Sequence, residues 1–142
     1  MRFIVLIFTT IIASFQLSAQ TLEVCVTNIR NTKGQLCIAI FKSNEDFKAE
    51  TPFWEKKYSK AEIENKTCKF VIPIPYGEYG LSVLDDENSD GRINYNFVGF
   101  PIEGFGFSNY NHRGIRKPQY KQFIFKVEDN QTIPINVKMT YM

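Results

Sequence analysis

Toward the C-terminus Ile133, Ile135, Val137, Met139 and Tyr141 alternate with Pro, Asn, Lys and Thr. A period of two puts one set of side chains on one face of a strand and the other set on the opposite face. The same alternation recurs over Leu22 to Ile29, Gln35 to Phe41, Thr67 to Ile74 and Tyr79 to Leu84, and at Phe123, Phe125 and Val127. No segment carries a long helical period. Ser43-Asn44-Glu45-Asp46 starts like a capped helix, but Pro52 limits it to one or two turns near residues 44–49. The pattern predicts an all-β, antiparallel β-sandwich of Ig-like or transthyretin-like type, with that one short helix or turn.

Turn chemistry adds detail. Asn31-Thr32-Lys33-Gly34 between two alternating runs predicts a first hairpin, in a register that sets Cys25 opposite Phe41. Glu50 to Asn65 is charged and mixed, and is expected to be a long loop pinned by Phe53, Trp54 and Tyr58. Pro73 and Pro75 place the end of the Thr67–Ile74 strand at a sheet edge. Pro75-x-Gly77-x-Tyr79 reads as a tight turn that drops a Tyr onto the sandwich corner. Another turn is expected at Glu128-Asp129-Asn130-Gln131. The three cysteines, Cys25, Cys37 and Cys68, include no C-x-x-C pair, which removes thioredoxin-like and zinc-ribbon readings. In the hairpin register, Cys25 and Cys37 are about four residues of strand, ~13 Å, too far apart to bridge. The disulfide connectivity stays open.

Met1-Arg2, an apolar run from Phe3 to Phe15 and Ser18-Ala19-Gln20 have the layout of a signal peptide cleaved after Ala19. The run is short for a membrane span, and no lipoprotein-like Cys follows it. Residues 20–142 then make one β-sandwich domain, periplasmic or secreted, with no membrane insertion after cleavage. The chain has 17 Lys+Arg against 15 Asp+Glu. That near balance offers neither a nucleic-acid footprint nor a polybasic membrane patch.

The chemistry concentrates in Leu84 to Asn111. Counting from Asp86, oxygen side chains fall at positions one, three and five (Asp86, Asn88, Asp90), Gly91 is at six and Asn94 at nine. This is the D-x-[DN]-x-[DN]-G core of a calcium loop, in which alternate side chains converge on one point and Gly permits the sharp turn. The Arg92 carbonyl can join them around a hard cation that takes 6–8 oxygens. Position twelve is Phe97 where a bidentate Glu is needed. Glu103 is the candidate to replace it, ahead of Asp85 and Glu87. The expected metal set is therefore Asp86, Asn88, Asp90, Arg92, Asn94 and Glu103, holding Ca²⁺, on a strand flank unlike an EF-hand. Calcium is preferred over zinc because the loop has no His or Cys.

Two other readings compete. Gly104 and Gly106 interleaved with Phe105 and Phe107 predict a tight loop, its aromatics either plugging the core or binding a glycan or protein in an adhesion module. A small carboxylate-based hydrolase built on Asp86 and Glu103 has the least support. Adjacent Asp85 and Asp86 point to opposite faces of a strand, His112 lies in a polar loop, and no nucleophile motif accompanies them.

Taken together, Pro75-x-Gly77-x-Tyr79, Asp85-Asp86-Glu87-Asn88-Ser89-Asp90-Gly91, and Gly99-x-Pro101-x-Glu103-Gly104-Phe105-Gly106-Phe107-Ser108-Asn109 resemble the bacterial exported family known as domain of unknown function 2141. The resemblance runs from about Leu22 to Tyr141, with Pro118 before the last hairpin. It implies a periplasmic or secreted single-domain protein of no established activity. Tyr110-Asn111-His112-Arg113 departs from the family pattern, where small residues are usual. The cysteines are not part of that pattern.

Overall fold

The computed structural model describes residues 20–61, 63–128 and 131–142. The expected signal peptide, 1–19, and the centre of the expected turn at Asp129-Asn130 lie outside them. The described chain forms an all-β sandwich. One sheet has the order β4 (Cys68–Ile74), β1 (Gln20–Thr27), β8 (Thr132–Lys138). The other has β3 (Trp54–Ser59), β2 (Gln35–Phe41), β5 (Gly77–Asp86), β6 (Gly104–Phe107). The short β7 (Ile124–Val127) pairs with the first half of β5 and β6 with the second. The one α-helix among the described residues, α1 (Asn44–Ala49), is capped by Ser43, whose Oγ accepts from the Asp46 amide at 3.0 Å.

Between the sheets lie Leu22, Val24 and Val26 of β1, Leu36, Ile38 and Ile40 of β2, and Ile135 and Val137 of β8, all fully buried. These are the inward positions of the alternation. Cys68, Phe70, Ile72 and Ile74 share one face of an edge strand as expected. Tyr79 donates to the Pro75 carbonyl at 3.1 Å, which closes the predicted corner.

Two expectations fail. β1 and β2 do not form a hairpin: they lie in opposite sheets. Cys25 faces Lys69 and Asn136, not Phe41. Their connection arches across the sandwich, held by Asn28 at φ 63°, whose Nδ2 donates to the Met139 carbonyl at 2.8 Å. At its far end Gly34, at φ 72°, packs so close to the Asp86 and Glu87 backbone that a Cβ would collide with it. The second failure is the loop expected over Glu50–Asn65, whose Trp54–Ser59 stretch is the edge strand β3. Its Trp-Glu-Lys-Lys-Tyr-Ser sequence is charged because an edge strand buries little and benefits from charges that block further pairing. All three cysteines are free thiols.

One polar cluster interrupts the apolar core. Asp85 and Lys60 are fully buried and form an ion pair, with Lys60 Nζ donating to Asp85 Oδ1. Lys60 also donates to Asn31 Oδ1 at 3.3 Å, and the Tyr141 hydroxyl donates to Asp85 Oδ2 at 2.5 Å. Burial, then the hydrogen bond to Asp85, pushes the Tyr141 phenol well above the usual tyrosine range. Removing one partner strands the other charge in the interior. Lys60→Met is therefore expected to cost about 3–5 kcal/mol of unfolding free energy in urea titrations. Lys60→Met combined with Asp85→Leu should recover much of that loss; no recovery would locate the cost in packing rather than charge.

Candidate metal and binding site

Asp85 and Asp86 end β5 and, as adjacent strand residues must, point to opposite faces. Asp85 enters the core. Asp86 turns to the outer face of its sheet, beside Gln35 and Cys37. Its carboxylate, fully buried, accepts from Gln35 Nε2 at 2.6 Å, the Gly91 amide at 2.8 Å and the Asp90 amide at 3.1 Å. Position one thus ties down the amides of positions five and six and sets the turn, with Gly91 at φ 76°. Lys57, on β3, reaches over that turn: a Cβ at Gly91 would lie 2.8 Å from its Nζ.

The other oxygen positions converge. Asn88 Nδ2 donates to Asp90 Oδ2 at 3.0 Å and to Asn94 Oδ1 at 3.2 Å, and Asn94 Nδ2 donates to Asp90 Oδ2 at 2.9 Å. The Arg92 amide donates to Asp90 Oδ1 at 2.8 Å. These hydrogen bonds, the largest from Asn94, hold the exposed Asp90 carboxyl below its ordinary range.

Glu103 folds back onto this loop. It is buried, and its Oε2 accepts from the Asn94 amide at 3.2 Å. The two weaker substitutes are engaged elsewhere. Glu87 pairs with Arg30 at 2.8 Å, and Asp85 is held on the opposite face. As they stand, no three His, Cys, Asp or Glu side chains among the described residues come together as a metal-binding group. The Asn88 and Asn94 amides, with N–H toward Asp90, occupy the centre of the oxygen cluster. A half-turn of either amide exchanges N for O.

The aromatic segment is a strand rather than a loop. β6 can use Gly104 and Gly106 because a Cβ at Gly104 would run into the Tyr141 ring and one at Gly106 would crowd Val137. Phe107 is buried in a second cluster with Phe41, Phe47, Tyr120 and Phe123, while Phe105 is half-buried. Phe41, Phe47, Phe105 and Phe107, together with Leu84 and Pro101, line a groove of about 300 Å³ on the outer face of the five-stranded sheet. The acidic loop forms one wall and residues 112–118 the other. His112, which also lines it, is buried: its Nε2 meets the Arg116 carbonyl at 2.7 Å, and its Nδ1 has no partner. On the floor, burial and then the Asp86 charge push the Cys37 thiol up to about 11, which disfavours its thiolate.

Sequence reasoning missed the Lys60–Asp85–Tyr141 cluster, although Leu81, Val83 and Asp85 share the inward face of one strand. An inward carboxylate demands a buried partner.

Burial, reinforced by the charges of Asp86 and Asp90, raises the Glu103 carboxyl above its usual range; backbone hydrogen bonds offset part of this. A group with a raised folded pKa binds its proton more tightly folded than unfolded. Its ionisation therefore removes stability as pH rises from the unfolded through the folded pKa, and the loss is complete above the latter. Glu103→Gln should raise the neutral-pH melting temperature of the metal-free protein and flatten its dependence on pH above the ordinary glutamate range. A variant no more stable than the parent would show that Glu103 is not strained by its neighbours.

Comparison with curated proteins and with solved structures finds no match. Residues 24–134 match the family described as an uncharacterized protein conserved in bacteria, DUF2141. The chain belongs to that family.

Proposed function

We propose that this chain is an exported, non-enzymatic β-sandwich module whose Asp86–Asn94 loop, closed by Glu103, takes up Ca²⁺. The observation that carries the reading is the position of Glu103, buried beside the loop with Oε2 at the Asn94 amide. A carboxylate raised first by its burial and then by two carboxylate neighbours marks a place where positive charge is wanting, and a divalent cation supplies it. Asn88, Asp90 and Asn94 offer side-chain oxygens, Asp86 anchors the turn and can give its remaining lone pair, and the Arg92 carbonyl completes the expected set. The carboxylates are engaged by donors rather than open to a substrate, which favours binding over hydrolysis. The N-terminal signal-like segment supports a periplasmic or secreted location.

Terbium added to the purified protein should luminesce on excitation of Tyr95, and calcium should quench that signal by competition. Asp90→Ala or Glu103→Gln should weaken terbium binding at least tenfold. A signal that calcium does not displace, or no signal, refutes the calcium reading.

A second reading, a glycan- or protein-binding module, is favoured by the groove beside β6, because an apolar concavity with a few polar groups is the usual form of a ligand site. Saturation-transfer NMR against oligosaccharides and aromatic-rich peptides should place contacts at Phe105 and Leu84. The absence of contact with either class counts against it.

A further inference from the structure

The hydrogen bonds around Lys60 and Asp85 suit a different chemical state better than the charged one. Both side chains are fully buried, which lysine almost never is. An ammonium carries three N–H donors. Among the described residues Lys60 Nζ has two partners, Asp85 Oδ1 and Asn31 Oδ1, so one N–H is left without an acceptor. An amide nitrogen would carry a single N–H, and Asn31 Oδ1, at 3.3 Å, stands where it could accept it. That oxygen is held in place, because it also accepts from the Lys33 amide at 2.9 Å. On the other side, the Tyr141 hydroxyl accepts from the Arg30 amide at 2.8 Å, which leaves its own hydrogen for Asp85 Oδ2 at 2.5 Å. One fixed acceptor on the nitrogen side and one fixed donor on the oxygen side are what a buried amide between Lys60 and Asp85 requires.

We propose that Lys60 and Asp85 condense within the folded chain to an isopeptide bond between Nζ and Cγ, with the Tyr141 hydroxyl as the donor that stabilises the reacting carboxyl. The ion pair is the state before reaction. A proton passes from the ammonium to Asp85 Oδ1, and the freed Nζ lone pair adds to Cγ. Negative charge gathers on Oδ2, where the Tyr141 hydroxyl already donates. Nζ then gives a second proton to Oδ1, which leaves as water while the C=O re-forms at Oδ2. One ammonium and one carboxylate become one amide and one water, and nothing is oxidised or reduced. Two effects favour the step. Both buried charges disappear, and with them the free-energy cost of holding them out of water. Nucleophile and carboxyl are also already in contact inside the core, so no encounter has to be organised.

The bond has a topological consequence. Lys60 follows β3 and Asp85 lies in β5, with β2 between those strands, while the chain joining the two residues passes through β4 in the opposite sheet. The closed loop therefore runs through both sheets. It restricts the unfolded chain as a disulfide does, in a protein whose described cysteines are all free.

The test is the intact mass and tryptic map of the purified protein. The mass should fall one water below that of the unlinked chain, and Lys60 and Asp85 should be recovered in a single branched peptide, uncut after Lys60. Lys60→Arg keeps a cation without an amine nucleophile and should carry the full mass, as should Lys60→Met. Tyr141→Phe should link about 10²-fold more slowly, read as the unlinked fraction after equal incubation. Full mass in the parent protein overturns the proposal. So does a missing water that maps elsewhere, such as a succinimide at Asp90–Gly91. A Tyr141→Phe protein that links as fast as the parent overturns the role given to Tyr141.

Discussion

The Lys60–Asp85–Tyr141 cluster is the constraint on which the rest of the molecule hangs. Burying an ion pair gains little over apolar packing, but once both charges are inside, neither can be moved without stranding the other. Lys60 fixes the end of β3, Asp85 the end of β5, and Tyr141 the last residues of the chain. The Tyr141 hydroxyl also accepts from the Arg30 amide at 2.8 Å, and Arg30 lies over the Tyr141 ring, 4.6 Å from its centroid. Arg30 in turn pairs with Glu87, the residue that begins the acidic loop. A buried charge is thereby transmitted, through one aromatic and one guanidinium, to the place where the oxygen donors are assembled.

That coupling explains the division of labour between two neighbouring aspartates. One peptide bond separates the group that locks the core from the group that shapes the loop. Asp86 can spend its oxygens on the amides of Asp90 and Gly91 because the strand that carries it is immobilised from the other face. The groove inherits the same support, since Leu84 on β5 and Phe105 on β6 are paired residues in the register that Asp85 anchors.

Much of the fold was legible because period-two alternation reports directly on which face of a strand is buried. The cap at Ser43, the corner at Tyr79 and the edge position of β4 were legible for equally local reasons. Sheet membership was not. Asn31 to Gly34 signals that the chain reverses, and reversal within a sheet or across a sandwich uses the same turn residues; the deciding contact, Asn28 to Met139, is 111 residues distant. β3 was hidden by its charges and β6 by its glycines, whose use depends on the Tyr141 ring and on Val137. At the site, the spacing of the oxygen residues and the return of Glu103 could be counted, while the filling of Asp86 by Gln35 required knowing that β2 lies beside β5.

The parallel pairing of β1 with β8 has a temporal side. β1 is the central strand of its sheet, and its partner along one edge, Thr132–Lys138, is far along the chain: Thr21 pairs with Thr132, 111 residues on. Until β8 arrives, the backbone groups of β1 along that edge have no strand partner, and the sheet cannot close. Pairings of such sequence separation make folding slow. A chain wired in this way closes its three-stranded sheet late, because the long loop that brings β8 to β1 has to be ordered before the pairing repays it.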